Sequence, residues 1–357
     1  MIKLIKFMKS KHLFFFIFGL LLNGCFVTAT VNPDKFYEKE YNLYWPAPPN
    51  KPKIGLVKVI NSPFDNKVVI EETKTSKLIK WLIGEENLPI SSFQRPYSIF
   101  VKNGKIFVVE QGLFSVVVMD IMKGKTSFLQ TTTEGDILYY PTSVTVDDEG
   151  NIYVCDPEKE RIVVYKENGK PFKIFGEEYS PWRPCGIAYN KRNGRFYVVD
   201  SINHSVKIFD KQFKLVSSVG KLGEENGNFN YPTHIFIDKD GNFYVTDSMN
   251  FRVQYFSEDG KFLGKVGRMG KGDGYLERPK GVCVDNMGHI YIVDSLQGIV
   301  QIFDKKDRFL MAFGDDGSYP GQFNLPSGIY CDEKNYIYVA DTLNKRIQIL
   351  KYVGSID

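Results

Sequence analysis

Pro232-Thr-His-Ile-Phe-Ile-Asp-Lys-Asp-Gly-Asn-Phe-Tyr-Val-Thr-Asp247, continued by Ser248-Met-Asn-Phe-Arg252 and Val253-Gln-Tyr-Phe256, is the stretch that decides the fold. Apolar residues alternate at Ile235 and Ile237, a polar turn with Gly241 follows, and a second run closes on Asp247. Period-two alternation bounded by Gly, Asn and Asp reads as short strands joined by tight turns. The same pattern recurs along the chain. Its prolines are Pro96, Pro141, Pro184, Pro232, Pro279 and Pro326, spaced by 45, 43, 48, 47 and 47 residues. The acid closing the second strand is Glu110, Asp156, Asp200, Asp247, Asp294 and Asp341 in turn. Each unit holds four short strands, and Asn103-Gly104 is a type I′ hairpin signal in the first. Four-stranded units of this length, repeated without intervening helices, are blades of an all-β propeller. The sixth unit ends after three strands, near 327–332, 336–341 and 346–351. Upstream, Ile54-Gly-Leu-Val-Lys-Val-Ile60 is a strand with no partner. If it completes the last blade, the ring closes with no open edge. The expectation is a six-bladed β-propeller of four-stranded antiparallel blades over residues 54–353.

These residues resemble the NHL-repeat family, most closely in Pro279-Lys-Gly-Val-Cys-Val-Asp285 and Tyr338-Val-Ala-Asp-Thr-Leu-Asn-Lys-Arg-Ile347. The resemblance covers residues 93–353. It departs in the first repeat, where Glu110 replaces Asp and the Asn-x-Arg turn is missing, and in the fifth, where Ile299 stands in place of Arg. It implies a propeller. Function is less constrained, because family members include a peptide-amidating lyase, RNA binders, sensor domains and interaction modules.

The chain has 357 residues, 43% hydrophobic and 15% aromatic, a globular composition that leans toward β structure. Its net charge of +4 is confined to one end: residues 1–24 carry Lys3, Lys6, Lys9 and Lys11 and no acid. The remainder holds 42 basic and 42 acidic residues. Nucleic-acid binding needs a cationic surplus to displace counterions, so that class is disfavoured. The four lysines precede the apolar run Leu13–Leu22 and then Asn23-Gly24-Cys25. Ten apolar residues are too few to span a bilayer as a helix but suit a signal peptide. Leu22-Asn23-Gly24-Cys25 resembles a bacterial lipobox, which implies cleavage before Cys25, its lipidation and a membrane anchor in the cell envelope. Residues 25–53, ending in Trp45-Pro-Ala-Pro-Pro-Asn-Lys-Pro52, read as an extended Pro-rich tether. Residues 72–84, with Leu78, Ile79, Trp81, Leu82 and Ile83 before Gly84, read as a short amphipathic helix.

The acids closing the second strands are expected to hydrogen-bond the backbone of the turn that follows them rather than bind metal, since one active site would not need five copies. Of the histidines after Cys25, His234 falls near the channel mouth and His204 further out on the same face. His289 falls on the opposite face, so the three cannot share one ion. The residues directly after the prolines are Tyr97, Thr142, Cys185, Thr233, Lys280 and Ser327. None is acidic, which argues against a channel calcium site. No cofactor is expected. Cys155, Cys185, Cys283 and Cys331 form no C-x-x-C. Export permits disulfides, and the pairs 155/185 and 283/331 fall in neighbouring blades, but buried free thiols are the expectation. The runs 220–227, 267–274 and 314–321 are Gly-rich blade connections, not phosphate cradles.

The residues before the prolines are Arg95, Tyr140, Arg183, Tyr231, Arg278 and Leu325. With Tyr97, His234 and Lys280 nearby, they form a candidate binding face suited to interface contacts and carboxylate-bearing ligands. The resulting expectation is a monomeric, membrane-tethered, non-catalytic module that binds a protein, peptide or glycan of the envelope. The alternative is a metal-dependent lyase or lactone hydrolase working in the central channel.

Overall fold

The structure, a computed structural model, describes residues 33–65 and 92–354. The signal segment, Cys25 and the helix expected at 72–84 lie outside the described residues. Six antiparallel sheets are arranged as blades around a channel. Their innermost strands are Pro96–Lys102, Ser143–Val146, Pro184–Asn190, Pro232–Ile237, Pro279–Val284 and Ile329–Cys331, each packed against the next and the last against the first. Blades 1 to 5 have four strands in sequence order. Blade 6 is completed from the other end of the described chain: Ile54–Ile60 pairs antiparallel with Arg346–Tyr352. In the first hairpin Asn103 and Gly104 have φ of 52° and 70°, the positive pair that a type I′ turn requires.

Residues 33–53 do not run out as an extended spacer. Tyr44–Trp45 pairs with Ile54–Gly55 and adds a fifth strand to blade 6. Phe36 is buried, Tyr37 OH meets Tyr338 OH at 2.9 Å, and Trp45 lies 6.0 Å from Phe313 between ring centroids. Proline content favoured an extended chain, but the aromatic residues interleaved with it gain more by covering the last blade. The apolar clusters between blades draw on no described residue before Phe36.

The acids ending the second strands are structural, as expected, but they mainly hold the loop leading into the innermost strand of their own blade rather than the turn that follows, because that loop's amides converge on the carboxylate. Asp247 accepts from Asn230 N at 2.7 Å, Asp341 from Asn324 N at 2.8 Å and Asp294 from Glu277 N at 2.7 Å. Glu110 does the same for Gln94 N and Arg95 N at 3.1 and 2.5 Å, its extra methylene making up for the departure in blade 1. The Asn-x-Arg turns complete the device. Arg346 Nε donates to Asp341 at 2.6 Å while its other nitrogens hold the carbonyls of Ser318, Tyr319 and Gln322 at 2.8 Å. Gln254, Gln301 and Gln348 accept from Gly227, Gly274 and Gly321, locking the Gly-rich blade connections. On the other side, Asp147, Asp238, Asp285 and Asp332 tie down the first hairpins and receive Tyr153, Tyr244, Tyr291 and Tyr338 hydroxyls at 2.8 to 3.0 Å.

The replacement Asp341→Ala strands the buried Arg346 guanidinium, so we expect a stability loss of about 3–5 kcal/mol. Chemical denaturation measures it; a loss below ~1 kcal/mol would mean that the blade loops are held by something else.

Candidate binding site in the central channel

The channel is built from the successive residues of the six innermost strands, and its width follows their size. Directly after the prolines come Tyr97, Thr142, Cys185, Thr233, Lys280 and Ser327; next come Ser98, Ser143, Gly186, His234, Gly281 and Gly328. In this second layer the strands approach closely. A Cβ on Gly281 would sit 2.7 Å from Ser327 O, and one on Gly328 would sit 2.6 Å from Tyr97 O. His234 is the one bulky side chain of the layer. Its ring lies 5.8 Å from that of Tyr97, which reaches across from the opposite blade, so the two rings narrow the channel to a waist. His234 Nδ1 meets Thr233 Oγ1 at 3.1 Å, whereas Nε2 is sealed from water with no partner among the described residues. Burial, and then the Lys280 charge, push the imidazole down to about 3, so it stays neutral.

Below the waist a cavity of about 700 Å³ widens toward the face that carries the first hairpins of the blades. Ile99, Phe100, Ile187, Phe236, Ile329 and Tyr330 are among its walls, and His234 lies at its inner end. None of the six residues directly after the prolines lines it.

Above the waist lies the proline face, where the sequence-selected residues fall. Arg95, Arg278 and Tyr231 are exposed, Tyr140 is half-buried, and Tyr97 and Lys280 are recessed in the mouth. Lys280 Nζ stands 5.9 Å over the Tyr97 ring. Burial, then the Arg278 charge with a contribution from Arg95, lower the Lys280 pKa. Burial raises the pKa of Tyr97. Arg183 pairs with Glu158. Of the eight candidate residues on this face, His234 alone also lines the cavity.

The other two described histidines are structural. His204 Nδ1 accepts from Tyr231 N at 3.0 Å, and His289 Nδ1 meets Asp285 Oδ2 at 2.8 Å. Among the described residues no group of three or more His, Cys, Asp or Glu side chains is placed to hold a metal ion. Cys185, at the mouth, is pushed up to about 11 by burial despite the nearby Arg183 charge, the reverse of what a nucleophilic thiolate needs. The expectation of free thiols holds for Cys155 and Cys185 and fails for the other pair. Cys283 and Cys331 are joined, with Cα atoms 5.6 Å apart, across the innermost strands of blades 5 and 6. The repeat register placed these cysteines in adjacent strands but did not give the distance between the strands. The aromatic cavity wall was likewise overlooked, although Phe100, Phe236 and Tyr330 all occupy the fourth position after their prolines.

The NHL repeat profile matches residues 138–165 and 182–209, which fall in blades 2 and 3. The chain carries NHL repeats within a six-bladed β-propeller. No curated protein sequence matches it significantly. Among solved structures it resembles a protein of unknown function from Bacteroides thetaiotaomicron, with 21% identity, a TM-score of 0.58 and coverage of 74% of this chain and 71% of the other. Virginiamycin B lyase from Staphylococcus aureus shares 15% identity at a TM-score of 0.54, over 73% and 96% of the two chains. An auxiliary nutrient binding protein from Bacteroides thetaiotaomicron shares 14% at 0.57, over 73% and 69%. At these identities the likeness is one of fold.

Removing the bridge as Cys283→Ala with Cys331→Ala is expected to cost about 2–4 kcal/mol, because a long loop is released in the unfolded chain. Thermal unfolding of the double variant against the parent, both without reductant, measures this. Equal stability would mean that the two thiols are not joined.

Proposed function

We propose that this protein is an exported binding module, anchored to an envelope membrane through acylated Cys25, whose proline face captures an anionic group on an envelope partner. The observation that carries the reading is the imbalance of charge at the channel mouth. Arg95, Arg183, Arg278 and Lys280 gather there, and among the described residues only Arg183 has a carboxylate partner. Guanidinium groups suit planar carboxylates, and the exposed Tyr231 and half-buried Tyr140 supply the aromatic contacts typical of interface hot spots. A protein, a peptide or an acidic glycan meets these requirements. Export is supported by the Cys283–Cys331 bridge, since such bonds persist in oxidising compartments. The fold likeness to an auxiliary nutrient binding protein fits a binding role.

The test is site-specific photo-crosslinking in intact cells from position 231 on the proline face, with position 334 on the hairpin face as control. Crosslinks are expected from 231 alone, and they should vanish when Arg95, Arg183 and Arg278 are all changed to Ala. Each of these exposed changes should alter stability by no more than about 0.5 kcal/mol. Crosslinks that survive the triple change would overturn the assignment of the face. For the anchor, Cys25→Ala should move the protein from the membrane pellet to the soluble fraction; retention in the pellet would contradict lipidation.

A further inference from the structure

The cavity below the waist lies on the opposite side of the His234–Tyr97 closure from the proline face, so it poses a separate question. We infer that this cavity is a binding site for an uncharged, planar aromatic molecule. Its size, about 700 Å³, lies within the range of small-molecule sites. One wall is a run of rings: Phe100 and Tyr330 have centroids 5.1 Å apart and Tyr330 and Phe236 5.9 Å, both edge-on. Rings set in this way offer flat and edge contacts to another aromatic system.

The distribution of charge selects against an ion. Charged side chains occur only at the mouth, where the two signs balance and most are already engaged. Lys102 pairs with Asp148 at 3.6 Å, while Asp238, Asp285 and Asp332 are used by their own hairpins. At the inner end stands the neutral His234. A charge carried past this rim to the apolar walls would lose its hydration without gaining a counter-ion. A single polar group on the guest is accommodated, because the Tyr330 hydroxyl has no hydrogen-bond partner among the described residues and burial keeps it protonated.

The mouth is spanned as well. Lys191 in blade 3 and Glu333 in blade 6 stand on opposite sides of the ring, and their side chains meet at 3.3 Å although 63% and 89% exposed. An exposed pair of this kind is worth about 1 kcal/mol or less, so a guest can part it.

The experiment uses the chain from residue 26, which retains every apolar cluster described above, and needs no detergent. The probe is N-phenyl-1-naphthylamine, which fluoresces in apolar surroundings; its anionic counterpart is 1-anilinonaphthalene-8-sulfonate. One saturable site is expected for the neutral probe, with the sulfonate at least about tenfold weaker. Tyr330→Ala and Phe236→Ala should each weaken the neutral probe about fivefold or more. Arg95→Ala with Arg278→Ala should leave it unchanged, which separates this site from the proline face. Because the wall variants alter the interior, Lys191→Ala provides a test at an exposed position: it should raise the association rate constant and reduce its dependence on salt. A sulfonate that binds as tightly, displacement by the proline-face changes, or a rate indifferent to Lys191 would overturn the inference.

Discussion

The pairing of Ile54–Ile60 with Arg346–Tyr352 is the interaction on which the rest of the molecule depends. Without it blade 6 would end in an open edge, and six radial sheets would have no reason to stay in a ring. The joint between blade 6 and blade 1 is sealed further by side chains. Ser327 Oγ donates to Tyr97 O at 2.6 Å and Thr342 Oγ1 to Pro96 O at 2.9 Å. On the other flank the Cys283–Cys331 bridge ties blade 6 to blade 5. The last blade, assembled from segments far apart in sequence, is thus fastened on both sides. Contacts of such long sequence separation are slow to form, and the covalent tie reduces the freedom of the unfolded chain at that joint.

Closure sets the width of the channel, and the width sets what the channel can hold. Small residues in the second layer allow the strands to approach, and His234 with Tyr97 fills the gap that remains. The two faces therefore present different chemistry a short distance apart. One is a shallow mouth with excess positive charge. The other is a deep cavity with apolar walls and a balanced rim. A rigid ring can keep both surfaces in fixed register, which suits a module that binds rather than one that reshapes its target.

Much of this was legible in the sequence because a repeat prints its own register. The prolines located the innermost strands, and the orphan strand at 54–60 together with the missing fourth strand of the last unit foretold the joint. The bracing acids were also recognisable, although their chief partners are the loops before the innermost strands rather than the turns after the acids. Three features were not legible. Residues 33–53 looked like a spacer, because proline content is visible locally while the blade surface awaiting Trp45 and Phe36 is not. The bridge of Cys283 to Cys331 depended on a distance that register alone does not give. Phe100, Phe236 and Tyr330 read as ordinary core residues, since convergence on one cavity is a property of the ring and not of any blade.

The most direct test of this account is hydrogen exchange of the amides in residues 54–60, followed by mass spectrometry on the intact chain. A closing strand should exchange as slowly as its partner at residues 346–352, with both released together only by global unfolding. Rapid exchange of 54–60 beside a protected 346–352 would contradict the closed ring, and with it the fixed channel on which both proposed sites rest.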